Sequence, residues 1–121
     1  MLKSRTTGLD RNKVSRDFAS AVNMTAAELD GWLNTDESHR VGWNGSDGRA
    51  SESVGHASGR KILSILAKRN EQLTADDYKH MRKVVGFVRR HGAQRPTNIY
   101  TSRWRYSLMN WGHDPVKEDQ T

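Results

Sequence analysis

The stretch Thr74–His91, with the sequence TADDYKHMRKVVGFVRRH, decides which fold this chain can adopt. When its residues are placed about 100° apart, as in an α-helix, apolar and basic side chains separate onto two sides. The apolar side carries Tyr78, Met81, Val84, Val85 and Val88. The basic side carries Lys79, Arg82, Lys83, Arg89 and Arg90, with Gly86 among them. The stretch therefore predicts a helix that packs one side into a core and presents cations on the other.

Both ends of this helix are marked in the sequence. Thr74 is a typical N-cap residue, and Asp76 and Asp77 fall in the first turn, where the helix dipole favours negative charge. Gly92 follows the last turn and Pro96 lies shortly beyond it, as is common after a helix C-terminus. We therefore predict a helix from about residue 75 to about residue 91.

Helical spacing of apolar residues predicts further helices on both sides of this one. One begins near Val14, and a second begins at a capping box formed by Thr25 and Glu28. Two others are predicted over about 57–70 and 98–111. No segment alternates apolar and polar residues at period two, so strands are not predicted. The prediction is an all-α fold of four to five short helices.

The segments outside these helices predict how the chain is divided. Residues 1–12 are polar and unpatterned and are interpreted as a flexible leader, and residues 117–121 as a flexible tail. Residues 36–56 are rich in glycine and serine and predict a long loop. A single helical domain is therefore expected over 13–116. Within it, Asn70–Leu73 has the length of a helix-turn-helix connection, which predicts a pair of that kind.

Composition limits the classes of function open to this chain. The 121 residues carry 20 Lys and Arg against 14 Asp and Glu, for a net charge of +6. A small protein this basic commonly binds nucleic acid or an acidic membrane surface. The chain has no cysteine, which excludes disulfides, thiolate catalysis and cysteine-ligated zinc. No stretch approaches the ~18 apolar residues of a membrane span, and no apolar run follows the first charges, so we expect a cytoplasmic protein without a membrane partner.

Positive charge is concentrated in one block of the sequence. Residues 1–56 have a net charge of −1, residues 57–106 of +9 and residues 107–121 of −2. Ordinary solvated helices mix Glu with Lys, because pairs of opposite charge one turn apart are stabilising. The basic sides of the helices in the central block almost lack acids. A solvated polar face is the alternative, but we interpret this block as a surface that contacts nucleic acid.

Lys and Arg on rigid helices neutralise phosphates and release counterions, and a glycine lets a backbone come close. The predicted nucleic-acid-binding residues are Arg60, Lys61, Lys68, Lys79, Arg82, Lys83, Arg89, Arg90, Arg95, Arg103 and Arg105. Aromatic residues accompany the last three, with Tyr100, Trp104, Leu108 and Trp111 at helical spacing. That stripe is interpreted as core packing rather than as a platform for base stacking.

The residues that could carry catalysis do not assemble into a site in the sequence. Asp76, Asp77 and His80 share one helical turn, which supplies two metal ligands where a site needs three or four. Capping explains the two aspartates better, and His113 with Asp114 is interpreted as a turn-stabilising pair. We predict no enzyme activity, no cofactor, no metal site and no small-molecule substrate.

Several strings of residues together resemble a known family. They are Ala21–Thr25 (AVNMT), Ser53–His56 (SVGH) with Ser58–Arg60 (SGR), Asp77–Tyr78 with His80–Gly86 (HMRKVVG), Ala93–Pro96 (AQRP) and Arg103–Pro115 (RWRYSLMNWGHDP). The chain resembles domain-of-unknown-function family 3140, small bacterial and fungal proteins often labelled DNA-binding protein. The likeness covers about residues 15–116. What the resemblance implies is DNA binding, without a particular site or target sequence.

The sequence therefore predicts a small basic helical protein that contacts duplex DNA mainly through backbone phosphates. Such a protein would be nucleoid-associated or regulatory. The alternative is a protein–protein interaction module in which Trp32, Trp43 or Trp104 anchors an acidic partner, because aromatic and arginine side chains dominate such interfaces as well.

Overall fold

The structure is a computed structural model that describes residues 2–42 and 52–119, with side chains over 11–42 and 52–117. Its α-helices are α1 Leu2–Ala21, α2 Ala26–Leu33, α3 Asp36–Arg40, α4 Val54–Leu66, α5 Ala75–Gly92, α6 Arg103–Asn110 and α7 Pro115–Asp119. A 3-10 turn over Asn70–Gln72 lies between α4 and α5. These two ranges contain no strand, so the predicted all-α fold is confirmed there. None of the helices described is long and apolar enough to cross a membrane.

The two ends of the chain are more helical than the sequence predicted. α1 begins at Leu2 rather than near Val14, so the segment interpreted as a flexible leader is helical. Once a packed segment has nucleated a helix, further residues extend it without an apolar face of their own. At the other end, Pro115 opens α7, a position where its fixed φ and missing N–H fit a helix. The predicted tail from residue 117 is therefore helical as far as Asp119.

The predicted loop over 36–56 is shorter than expected at both ends. α3 begins at its N-cap Thr35, whose side chain accepts a hydrogen bond from the backbone N–H of Ser38. α4 begins at Val54 because the side chain of Ser53 accepts a hydrogen bond from the backbone N–H of His56. Ser53 was interpreted as a loop residue, whereas it acts as a helix cap. Residues 43–51, including Trp43, lie outside the described part.

The connection between α4 and α5 is longer than that of a helix-turn-helix. α4 ends at Leu66 and α5 begins at Ala75, so eight residues including the 3-10 turn join them. The predicted short turn over Asn70–Leu73 is therefore wrong. The predicted helix-turn-helix pair is wrong as well, because that motif joins its two helices by three or four residues. α6 likewise begins later than predicted, at Arg103 after its N-cap Ser102.

α1 and α5 run parallel and supply one side of the core. Arg11 lies 4.8 Å over the ring of Tyr78 near the start of α5, and Asp17 lies 3.6 Å from Arg89 near its end. The buried apolar side chains of the two helices are Val14, Phe18, Met81, Val84, Val85 and Val88. Leu29 and Leu33 of α2, Ile62 of α4 and Leu108 of α6 complete the same core. The spacing of apolar residues along α5 therefore predicted its buried side correctly.

Asn110 at the end of α6 ties three helices together. Its side chain is fully buried, and its Oδ1 accepts hydrogen bonds from Trp32 Nε1 at 2.7 Å and from Ser38 Oγ at 2.5 Å. Its Nδ2 donates to the backbone oxygen of Ser38 at 3.1 Å. Gly59 of α4 packs closely here too, since a Cβ at that position would lie 2.7 Å from the backbone oxygen of Asn110. The amide therefore fixes α2 and α3 against α6, and nothing in its spacing indicated this.

Candidate nucleic-acid interface

The basic face of α5, defined as Lys79, Arg82, Lys83, Arg89 and Arg90, is exposed along its whole length. On the opposite side of the same helix, Met81, Val84, Val85 and Val88 are buried. Thr74 caps the helix in a reciprocal capping box with Asp77, as predicted for its N-terminus. Capping and core packing together hold the five cations on a rigid element, which suits recognition of a charged surface.

α1 adds cations that the sequence analysis did not predict. Arg11, Lys13 and Arg16 are exposed on α1, which lies beside α5. They were missed because the first 56 residues are almost neutral as a block, and only the parallel packing brings these three near the basic face. Asp17 adds a negative charge beside these cations. The hydrogen bond that it accepts from Lys13 at 2.7 Å lowers the pKa of the Asp17 carboxyl. The sequence feature that could have predicted them is the grouping of three cations within two turns of one helix.

A groove of about 240 Å³ separates α1 from the basic face of α5, with Lys13, Arg82 and Arg89 along it. Arg82 makes a contact of its own, and Arg89 lies 3.6 Å from Asp17. Gly86 also lines this groove. A Cβ on Gly86 would lie 2.9 Å from Nη1 of Arg90, so the guanidinium of Arg90 covers the glycine. The expectation that Gly86 lets a foreign backbone approach therefore does not fit the structure, because Arg90 occupies that space.

The predicted contact residues on α4 are bound to carboxylates. Arg60 donates two hydrogen bonds to Glu52, at 2.7 Å and 2.5 Å. These bonds, together with the contact between Glu52 and His56, lower the pKa of the Glu52 carboxyl to about 2. The acid that neutralises Arg60 lies before the helix, in the segment interpreted as loop. Its presence could not be read from the face of α4.

Asp77 binds two more of the predicted cations, Lys61 on α4 and Lys68 just after the end of that helix. Lys68 donates a hydrogen bond to its Oδ2 at 2.6 Å, and Lys61 Nζ lies 3.7 Å from its Oδ1. Asp77 is 1% exposed, and the hydrogen bonds from Lys68 and from the backbone N–H of Thr74 lower its pKa to about 2. Lys61 and Lys68 therefore belong to an internal ion-pair cluster, and α4 does not repeat the open basic surface of α5.

The three arginines near the C-terminus have different surroundings. Arg105 is half-buried and donates two hydrogen bonds to the carboxylate of Asp114, at 3.0 Å and 3.1 Å, and one to the backbone oxygen of Tyr100. It fixes the end of the chain on α6 and does not lie on the surface as predicted. Arg95 lies over the ring of Trp104 at 5.9 Å, whereas Arg103 is exposed.

The predicted contact residues therefore fall into three groups. Arg60, Lys61, Lys68, Arg89 and Arg105 each lie within ion-pair distance of a carboxylate. Arg82 and Arg95 have contacts of their own. The other four cations are exposed, and no carboxylate among the side chains over 11–42 and 52–117 pairs with them. Those cations are Lys79, Lys83, Arg90 and Arg103.

The histidines and acids considered for chemistry have structural partners. His80 Nε2 lies 2.9 Å from Ser58 Oγ, and burial, followed by the nearby charges of Lys83 and Lys61, lowers its pKa. His113 Nδ1 donates to the backbone oxygen of Ala21 at 2.7 Å. In the part of the chain that the structure describes, no three His, Asp or Glu residues are grouped closely enough to hold a metal ion. Asp114 Oδ1 accepts a hydrogen bond from the backbone N–H of Val116, a contact of the turn-stabilising kind, whereas His113 contacts the end of α1 instead.

Comparison with known proteins identifies one family. The family model described as Protein of unknown function (DUF3140) matches residues 17–109. The match includes α2 to α5 and nearly all of α6, and therefore includes the basic face of α5. No curated protein matches the chain, and no solved structure matches it.

Proposed function

Given that the chain belongs to the DUF3140 family of proteins of unknown function, we propose that it binds duplex DNA through the basic face of α5. Binding would be mainly to backbone phosphates, with Lys79, Lys83 and Arg90 as the central contacts. Cytoplasmic DNA is the target that fits this chemistry, and the role would be architectural or regulatory at the nucleoid.

The observation that carries this proposal is the contrast between two kinds of cation on the same molecule. The cations on α4 and in the segment just after it lie against Glu52 and Asp77. In contrast, Lys79, Lys83 and Arg90 are exposed without a carboxylate partner among the described residues. Unpaired cations repel each other and cost stability unless a polyanion neutralises them. A row of phosphates neutralises such cations. The counterions released from the DNA in this way are the main driving force of non-specific DNA binding.

The position of α1 extends the proposed contact surface beyond one helix. Arg11, Lys13 and Arg16 lie on α1 parallel to α5, so that cations flank the groove on both sides. Two helices with cations on rigid backbones can follow phosphates on one strand or across a groove. No side chain here is identified as a reader of base edges, so the proposed binding is directed at the backbone.

The alternative function, an interaction module with tryptophan anchors, has less support in the geometry. Trp32 Nε1 donates its hydrogen bond to Asn110, and Trp104 Nε1 donates to the backbone oxygen of His91 at 2.6 Å. Both rings are partly buried against the core. A hot-spot tryptophan presents its ring to the partner, whereas these two rings already pack internally.

A salt titration tests the proposal. We expect the wild type to bind an arbitrary duplex at low salt, with log affinity falling linearly with log salt. The double variant Lys79→Ala/Lys83→Ala removes two phosphate contacts and should flatten that slope by roughly 2 units. The loss should be equal on duplexes of unrelated sequence, and fluorescence anisotropy with labelled DNA measures it.

The matched control removes the same charge elsewhere. Arg40 lies 3.9 Å from Glu37 and Arg69 lies 3.2 Å from Glu71, and both arginines are exposed. The double variant Arg40→Ala/Arg69→Ala should leave the salt slope within about half a unit of the wild type. Equal slopes for the two double variants would place the contact surface away from α5. Absence of duplex binding by the wild type at low salt would overturn the proposal and favour a protein partner.

A further inference from the structure

A second feature of α5 lies on the flank opposite to α1. A cavity of about 430 Å³ opens between α4, α5 and α6. Its lining residues are Gly42, Val54, Gly55, Lys83, Phe87, Arg90, His91, Ser107, Asn110 and Trp111. Small-molecule sites in proteins are typically concave, about 300–1,000 Å³ in volume and mostly apolar with a few polar groups. The cavity, called the aromatic cavity below, has these properties.

Stacked rings form one wall of the aromatic cavity. The rings of Phe87 and Trp111 lie 4.4 Å apart and 13° from parallel. His91 stacks on Phe87 at 4.9 Å, and His80 continues the stack beyond Trp111 at 6.1 Å. A rigid wall of this kind matches a flat apolar molecule, because stacking and edge-to-face contacts between rings add to the burial of apolar area.

Charge at the opening of the cavity selects the sign of the ligand. Lys83 and Arg90 line the cavity and are also exposed, so they lie at its mouth. No carboxylate among the described side chains pairs with either of them. An arginine and a lysine beside an apolar wall provide directional hydrogen bonds and charge for a carboxylate. The mouth therefore favours an anion over a neutral or cationic ligand.

One residue of the lining has a polar atom without a partner. His91 Nε2 is buried and makes no hydrogen bond to any described residue. Burial also lowers the pKa of His91, which favours the neutral form of its ring. Buried polar atoms are nearly always hydrogen-bonded, and an exception calls for an explanation. A ligand that carries a polar group at its inner end supplies the missing bond.

We propose that the aromatic cavity binds a small, flat aromatic carboxylate that carries a hydroxyl at its far end. The carboxylate lies between Lys83 and Arg90 at the mouth, the ring system lies against Phe87 and Trp111, and the hydroxyl reaches His91 Nε2. This inference goes beyond the proposed function and does not depend on it, because the ligand would bind the protein in the absence of DNA.

The test uses three shape-matched probes and isothermal titration calorimetry. The probes are 6-hydroxy-2-naphthoate, 2-naphthoate and 2-naphthylmethylammonium. For ligands of this size we expect dissociation constants on the order of 0.1–1 mM for the two acids. The ammonium should bind at least about tenfold more weakly, because Lys83 and Arg90 repel it. Equal binding of acid and ammonium would overturn the proposal, and so would absence of binding of both acids at millimolar concentration.

Variants at the mouth locate the binding site. Lys83→Gln and Arg90→Gln should each weaken binding of 2-naphthoate by about three- to tenfold, as expected for loss of a charged hydrogen bond. Arg89→Gln is the matched control, since Arg89 lies on the same helix but faces Asp17 on the side of α1. Its affinity should equal that of the wild type. Wild-type affinity in both mouth variants would overturn the proposed site.

His91→Phe separates ligand contact from a structural role. Phenylalanine keeps a ring stacked on Phe87 but removes the unpartnered nitrogen. We expect the wild type to prefer 6-hydroxy-2-naphthoate over 2-naphthoate by about threefold or more. The variant should bind 2-naphthoate as the wild type does and lose this preference. Circular dichroism confirms that the variant is folded, and an unchanged preference would overturn the assignment of His91.

Discussion

At the scale of single residues, Asp77 shows how one side chain can serve several purposes. As an N3 residue it closes the capping box with Thr74. The sequence predicted Thr74 as the N-cap and Asp77 as an acid in the first turn. Its carboxylate also lies near Lys61 on α4 and accepts a hydrogen bond from Lys68, just after the end of α4. Two cations predicted to contact DNA thus stabilise the junction between α4 and α5. No feature of residues 74–77 reveals this second role.

Removing the charge of Asp77 should destabilise the fold. Asp77→Asn keeps the shape of the side chain but removes the charge from its hydrogen bonds to buried or half-buried partners. We expect the free energy of unfolding to fall by about 1–3 kcal/mol. Asp76→Asn is the control, because the Asp76 side chain is 85% exposed. Its effect should stay within about 0.5 kcal/mol. Urea denaturation measures both, and equal effects of the two variants would contradict the role assigned to Asp77.

At the scale of elements, α5 separates the requirements of folding from those of binding. Val84 is fully buried beside the exposed Lys83, so adjacent residues on the helix face a core and solvent. The apolar side faces α1 and the rest of the core, and its substitution disturbs packing. The basic face is exposed, and changes there act on recognition. The two effects can therefore be measured separately on one helix.

The neighbouring pair Val84 and Lys83 tests this division. Val84→Asp buries an unpaired charge, which costs several kcal/mol and approaches the whole stability of a small domain, about 5–15 kcal/mol. We expect this variant to be largely unfolded in thermal melts followed by circular dichroism. Lys83→Ala should keep Tm within a few degrees of the wild type. A cooperative wild-type melt for Val84→Asp would show that the face assignment of α5 is wrong.

At the scale of the whole molecule, folding redistributes the charges that the sequence places in blocks. Acids from outside the central basic block reach into it: Glu52 pairs with Arg60, Asp17 lies near Arg89, and Asp114 pairs with Arg105. The open positive surface is therefore smaller than the net charge of +9 over 57–106 suggests. Among the described side chains it lies mainly on α5 and is widened by α1, a helix from the nearly neutral half of the sequence.

These ion pairs make the fold sensitive to acid. The pKa values of Glu52 and Asp77 are lowered to about 2 from ordinary values of 4.5 and 3.8. The stability that they contribute is complete above about pH 4.5 and is lost as pH falls towards 2. The lowered pKa values of His80 and His91 add a loss that begins below their ordinary value of 6.5, because the unfolded chain takes up those protons more readily.

Urea unfolding over a series of pH values checks this expectation. The free energy of unfolding should decline gently below about pH 6.5 and steeply between about pH 4.5 and 2. Asp77→Asn should flatten the steep part, since the variant has no carboxyl to protonate at that position. Constant stability from pH 7 down to pH 3 would contradict the ion-pair energetics argued for the wild type.

The sequence by itself determined the features that depend on local periodicity and capping. The apolar and basic sides of α5 and the caps at Thr25 and Thr74 follow from spacing along one helix, because 3.6 residues per turn fixes which side chains share a face. Only the tertiary structure decided which cations are open, because the carboxylates that pair with Arg60, Lys68 and Arg105 lie 8 to 9 residues away along the chain. The buried amide of Asn110, the parallel approach of α1 and the aromatic cavity likewise come from contacts between elements. Such contacts depend on how the helices pack against each other, and the spacing of residues along the sequence does not predict that packing.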